Sequence, residues 1–138
     1  MKARVKWVED VTFVGEADSG HAVVMDGPPE SGGKNRGMRP MEMLLVGMGG
    51  CTAFDVVVIL KKARQAVTDC EVVLEAERAP EPPKVFTRIH VHYRVSGAGL
   101  SDAQVKRAVD LSTQKYCSAS IMLGKTAELT HDYEILEG

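Results

Sequence analysis

The chemistry-bearing residues of this chain are its cysteines. Cys51 follows Gly49-Gly50 inside the most apolar stretch, and Cys117 lies in Lys115-Tyr116-Cys117-Ser118-Ala119-Ser120, just before a short helical segment. A cysteine in an apolar run is more often a small core hydrophobe. It becomes a nucleophile where the thiolate is favoured and the sulfur is approachable, as at a helix end or beside a cation. On that functional reading, the glycines leave the Cys51 sulfur approachable and a helix end favours its thiolate, while polar neighbours and a helix start would let Cys117 ionise too. Two thiols this far apart in sequence act as a redox pair only if folding brings their Cα atoms within about 7 Å. Cys70, which opens a strand-like run, reads as structural.

Other chemistries have weaker signals. His21, His90, His92 and His131, with the three cysteines, never approach the close spacings of zinc sites, so no metal and no cofactor is expected. His90 and His92 do share a strand face with Arg88 and Arg94. Charge complementarity with Glu71, Glu75 and Glu77 on a neighbouring strand explains them as well as a metal would. Ser31-Gly32-Gly33-Lys34 is too short for a phosphate-binding loop, and no G-x-S-x-G nucleophile elbow is present.

The elements that must position the cysteines follow from periodicity. Lys2, Arg4 and Lys6 alternate with Ala3, Val5 and Trp7, which predicts a strand with one basic and one apolar face. Val11 to Val14 and His21 to Met25 are two further short strands, separated by the turn residues Asp18-Ser19-Gly20. Asp26 to Arg39, rich in glycine and proline, reads as a mobile loop. A long apolar helix runs from Pro40 to about Ala66, with Lys61, Lys62 and Arg64 suiting its C-terminal end. Cys70 to Arg78 and Val85 to Ser96 form a long hairpin. Ser101-Asp102-Ala103-Gln104 is a capping box for a helix carrying Val105, Ala108, Val109 and Ser112 on one face. That pattern stumbles near Cys117 and resumes to Met122, and a final strand runs from Thr126 to Ile135. The order is β-β-β-α-β-β-α-α-β, an α+β layout with helices against mostly antiparallel sheets.

Composition bounds the partners. At 138 residues and 15.0 kDa the chain is expected to be a single domain, 1–138. Nineteen acidic against 17 basic residues give a net charge of −2, which argues against nucleic-acid binding and a polycationic membrane surface. Three cysteines are too few for a disulfide scaffold, and no apolar segment follows the basic start, so a cytoplasmic location is expected. The 18 residues between Glu42 and Lys61 carry one charge, Asp55, and reach the lower edge for a membrane span. Their glycines and the aspartate fit a core helix better. A helix apolar all round is difficult to cover with one small chain, which points to a homodimer.

The run Arg39-Pro40-Met41-Glu42-Met43-Leu44-Leu45-Val46-Gly47-Met48-Gly49-Gly50-Cys51-Thr52-Ala53, taken with the Cys117 segment, resembles the OsmC/Ohr family of osmotically inducible and organic hydroperoxide resistance proteins. Within it the chain is most similar to the YhfA-like branch. The resemblance implies an intertwined homodimer of OsmC-like fold, with a long central helix, a second helix pair and active sites at the subunit interface. It also implies a cysteine-based peroxidase that reduces organic hydroperoxides, with a dithiol reductant. Cys51 matches the peroxidatic position and Cys117 the resolving one.

One departure stands out. The family's peroxidases place a glutamate ten residues before the first cysteine, paired with an arginine; here that position is Met41, and Glu42 is displaced by one. At about 100° per residue, Glu42 faces away from Cys51, whereas Asp55, four residues on, shares its face. Arg36 and Arg39 are the candidate arginines. Two other readings therefore stand beside the peroxidase: a non-catalytic dimer binding a small apolar ligand, and a thiol redox sensor.

Overall fold

The computed structural model describes residues 1–138. It divides into two compact units, Met1–Val46 and Gly47–Gly138.

In the first unit, strands β1 (Ala3–Glu9), β2 (Thr12–Ala17) and β3 (Ala22–Asp26) form an antiparallel sheet in that order. Gly20, at a φ of 93°, makes the expected turn between β2 and β3, a conformation glycine adopts without steric cost. β1 has the expected alternation, yet its apolar side chains stay open: Val5 and Trp7 are each 61% exposed. The segment expected to be a mobile loop is instead tied to one buried carboxylate. Asp26 accepts hydrogen bonds from the backbone N–H groups of Gly27 (2.9 Å), Lys34 (2.9 Å) and Arg36 (3.1 Å). These donors, Arg36 foremost, hold the Asp26 carboxyl below the ordinary carboxylate range.

Helix α1 (Pro40–Lys62) follows, four residues shorter than expected, and Arg64 at a φ of 57° turns the chain out of it. Glu42 completes a cap at its start by accepting from the Arg39 backbone N–H at 2.8 Å. α1 is long and apolar enough to cross a membrane, with a mean hydropathy of 2.1 over 18 residues, and 28% of that window is buried. In the second unit its buried stripe is Met48, Gly49, Thr52, Val56 and Leu60, at the three- and four-residue spacing of one helix face. Gly49 allows a close approach: a Cβ there would come within 2.8 Å of Leu74 Cδ1.

The sheet of this unit has the order β4-β5-β6, from β4 (Val67–Arg78), β5 (Phe86–Gly97) and β6 (Glu128–Glu137). β4 and β5 make the expected antiparallel hairpin, while β6 runs parallel to β5. The parallel pairing follows from the connection. α2 (Asp102–Leu111), a π-helical turn over Ser112–Tyr116 and α3 (Ser118–Leu123) cross from one strand to the other. Ile89, Val91, Tyr93 and Val95 of the central strand point inward, joined in the core by Val105, Ala108 and Val109 of α2.

Only half of the capping box at α2 forms as expected. Ser101 Oγ accepts from the Gln104 backbone N–H at 3.3 Å, but the Ser101 N–H donates to Gln65 Oε1 rather than back to Gln104.

Candidate functional site

The two cysteines meet inside the second unit. Cys51 lies on α1 and Cys117 at the break before α3; with Asp55 they form a cluster whose donor atoms are all within 4.8 Å of one another. Cys117 is fully buried, whereas Cys51 is half-buried. Gly47 and Gly50, on the same helix as Cys51, have open space where a side chain would stand. Cys70 is outside the cluster, and burial pushes its thiol up, helped by the charge of Asp69.

The π turn explains how Cys117 reaches the site. On an α-helix, Ser112 and Cys117 would diverge by about 140° around the axis. Here the Cys117 N–H bonds the Ser112 carbonyl five residues back, at 2.8 Å, and both side chains end up buried. Cys117 then caps α3: its sulfur accepts from the backbone N–H of Ser120 at 3.4 Å and from the Ser120 hydroxyl at 3.0 Å. These two donors favour the thiolate. Burial nevertheless dominates and pushes the Cys117 thiol up, with the Cys51 thiol adding to the rise.

Asp55 is held by a chain of hydroxyls. Ser112 Oγ donates to Asp55 Oδ2 at 3.0 Å and is bonded to Thr52 Oγ1 at 2.7 Å; Thr52 Oγ1 is bonded to the Tyr93 hydroxyl at 2.6 Å. A hydroxyl has a single proton to give. With Ser112 donating to Asp55, the chain is ordered from Tyr93 to Thr52 to Ser112 to the carboxylate. Tyr93 sits fully buried, and burial pushes its phenol up to about 12, so it holds its proton and acts as the fixed donor end. No buried side-chain nitrogen or oxygen in the molecule lacks a partner.

The candidate arginines have partners of their own in the first unit. Arg36 Nη1 donates to Thr12 Oγ1 at 3.0 Å and lies 3.4 Å from Asp10, and Arg39 lies 3.9 Å from Glu42. Glu42 itself serves the helix cap. The cations that share a groove with Asp55 are different ones. A groove of ≈ 600 Å³ is lined by Asp55, Lys62 and Arg107 together with the apolar Val58, Ile59 and Leu111.

Thr52, Tyr93, Ser112, Ser120 and Arg107 were missed by sequence reasoning. Ser112 carried a usable signal, a hydroxyl that continues the apolar face of Val105, Ala108 and Val109. The histidine pair also differs from expectation. His90 and His92 bond Thr130, Asp132 and Glu134 of β6, not the glutamates of β4.

Residues 32–132 match the sequence profile of the family described as OsmC-like protein. The chain is 55% identical over 136 residues to Protein YhfA of Escherichia coli strain K12, covering 99% of this chain and 98% of that protein. The crystal structure of a hypothetical protein from Aquifex aeolicus VF5 matches with a TM-score of 0.87 at 30% identity, covering 99% of this chain and 96% of that one. An organic hydroperoxide resistance protein OsmC from Legionella pneumophila matches with a TM-score of 0.71 at 16% identity, covering 96% of this chain and 95% of that one. At that identity the likeness is one of fold.

Proposed function

Because the chain belongs to the family of OsmC-like proteins and has its α+β fold, we propose that it is a thiol peroxidase reducing organic hydroperoxides, with Cys51 as peroxidatic and Cys117 as resolving cysteine. The observation that carries this reading is the pairing of a half-buried sulfur with a fully buried one inside 4.8 Å. A peroxide reaches Cys51 first. Its thiolate attacks the O–O bond, the alcohol leaves, and Cys51 becomes a sulfenic acid. Cys117 then displaces water from that sulfur and forms the disulfide. A dithiol reductant restores both thiols through a mixed disulfide.

The residues around the pair divide the remaining tasks. Ser120 supports the Cys117 thiolate as it forms, and the apolar walls near Asp55 suit an alkyl chain rather than a small polar peroxide. Arg36 and Arg39 have no assigned part in this scheme. The protein works as a homodimer in the cytoplasm; the open apolar side chains of α1 support the dimer: Leu44 is 49%, Val46 56% and Phe54 68% exposed. Sedimentation at micromolar concentration is expected to give a dimer, and a stable monomer would contradict it.

The activity is tested with Cys51→Ser and Cys117→Ser proteins given an organic hydroperoxide and a dithiol. Cys51→Ser is expected to consume none; Cys117→Ser is expected to stop at a trappable sulfenic acid. Full consumption by Cys51→Ser would refute the assignment.

The groove beside Asp55 favours a second reading, a dimer that binds a small apolar molecule without turning it over. Native mass spectrometry that finds no retained ligand, with normal turnover, removes it.

A further inference from the structure

Disulfide chemistry leaves one member of the cluster unused. Asp55 brings a carboxylate within 4.8 Å of both sulfurs. Disulfide formation gives this carboxylate no part. A cation among the three groups would use all of them, because it stabilises two thiolates and a carboxylate at once. We infer that reduced Cys51, Cys117 and Asp55 form a binding site for a divalent cation of borderline softness, zinc being the best match, with a fourth position open to water. The inference rests on the reading of Cys51 and Cys117 as one dithiol site and adds a means of regulating it.

Three observations carry it. Tetrahedral zinc, with bonds of about 2.3 Å to sulfur and about 2.1 Å to oxygen, needs its donors about 3.5–3.8 Å apart. The donors here stand inside 4.8 Å, so side-chain rotations of about 1 Å close the set. The carboxylate is also oriented, by Ser112 and behind it Thr52 and Tyr93, in the way metal ligands are steadied by hydrogen bonds from outside the coordination shell. At Cys117 the backbone N–H and hydroxyl of Ser120 already point at the sulfur that must become anionic. Two sulfurs and one oxygen select zinc over magnesium or calcium. His90 and His92 are poorer candidates, since every ring nitrogen is committed to a neighbour on β6.

Binding exchanges two S–H bonds for two sulfur–metal bonds. Two thiols, one carboxylate and the dication give a complex of net charge −1, and two protons pass to solvent; no electron moves. The disulfide form has no thiolate to offer, so it does not hold the cation. A cation-bound site has both sulfurs committed and attacks peroxide more slowly. Metal occupancy and the disulfide therefore exclude each other.

The test titrates the reduced full-length protein anaerobically with Co²⁺, a spectroscopic stand-in for zinc. The expected result is a thiolate-to-cobalt charge-transfer band that saturates at one metal per chain, releases two protons per metal and disappears on adding zinc. Cys51→Ser and Cys117→Ser each lose half the band or more. Ser112→Ala and Asp55→Asn weaken binding by about 10- to 100-fold while the band keeps its thiolate origin. Cys70→Ser changes nothing. Absence of the band in the reduced protein overturns the inference, as does a band surviving both cysteine substitutions or an Asp55→Asn protein that binds like its parent. Cobalt binding without peroxide-driven pairing would keep this inference and remove the peroxidase reading. Pairing without cobalt binding would do the reverse.

Discussion

The two faces of β5 carry opposite kinds of polar chemistry at adjacent residues. Tyr93 points inward, fully buried, and begins the hydroxyl chain that ends on Asp55. His92 and Arg94 point outward into a ladder of charge with Asp132 and Glu134 of β6, at 2.7 Å and 2.8 Å. The inner network is three neutral hydroxyls, each with a single proton, ending on a carboxylate; removing the middle one strands both its neighbours in the core. The outer ladder is open to water, and each pair can be replaced by hydration and screened by salt. The set of the Asp55 carboxylate beside the thiols therefore depends on the inner face, and the response of stability to pH and salt belongs to the outer one.

Thr52→Val breaks the comparison hardest. It keeps the shape of a fully buried residue but leaves the Tyr93 and Ser112 hydroxyls without it, and should cost about 1–3 kcal/mol in chemical denaturation. A cost near zero would mean that the hydroxyl chain does not support the core at Asp55. The condensation step should carry the mark of burial at Cys117. Its thiol is pushed up, so disulfide formation from the Cys51 sulfenic acid should accelerate roughly tenfold per pH unit between neutrality and the ordinary thiol range. Stopped-flow oxidation across pH reads this, and a flat profile would contradict it. Tyr93→Phe removes one end of the chain and leaves Thr52 bonded to Ser112, for about 1 kcal/mol.

His92→Gln sharpens the outer side of the comparison with the smallest effect. The Asp132 carboxylate, then Glu134, raises the His92 imidazole above its ordinary 6.5. A raised folded value means stability that is fully present below 6.5 and is lost as pH rises through the folded value. The variant should lower Tm slightly near pH 6, not near pH 9, and added salt should shrink the difference. An effect independent of pH and salt would place His92 with the shape-dependent groups instead.

Local signals made most of the element order legible. Alternation marked the strands, Pro40 and Ser101 marked two helix starts, and the stumble near Cys117 fell where the chain makes its π turn, though nothing in it specified that geometry. Long-range choices were not legible. His90 lies opposite Glu75 on β4 and Thr130 on β6, and only the parallel register of β6 decides that the imidazoles take Asp132. The loop after Asp26 has the composition of a mobile segment, yet one carboxylate collecting three backbone N–H groups fixes it. At the site, the Cys51–Asp55 pairing follows from helical spacing. Its meeting with Cys117 and Ser112 depends on how α1 and the α2–α3 crossover pack, which no spacing in the chain encodes.

The most direct test of the central claim is intact mass with free-thiol titration after one equivalent of an organic hydroperoxide, quenched under denaturing conditions. The account predicts that two of the three thiols disappear, that the mass falls by two hydrogens, and that the linked peptides contain Cys51 and Cys117. Three thiols unchanged, or a link through Cys70, would contradict it.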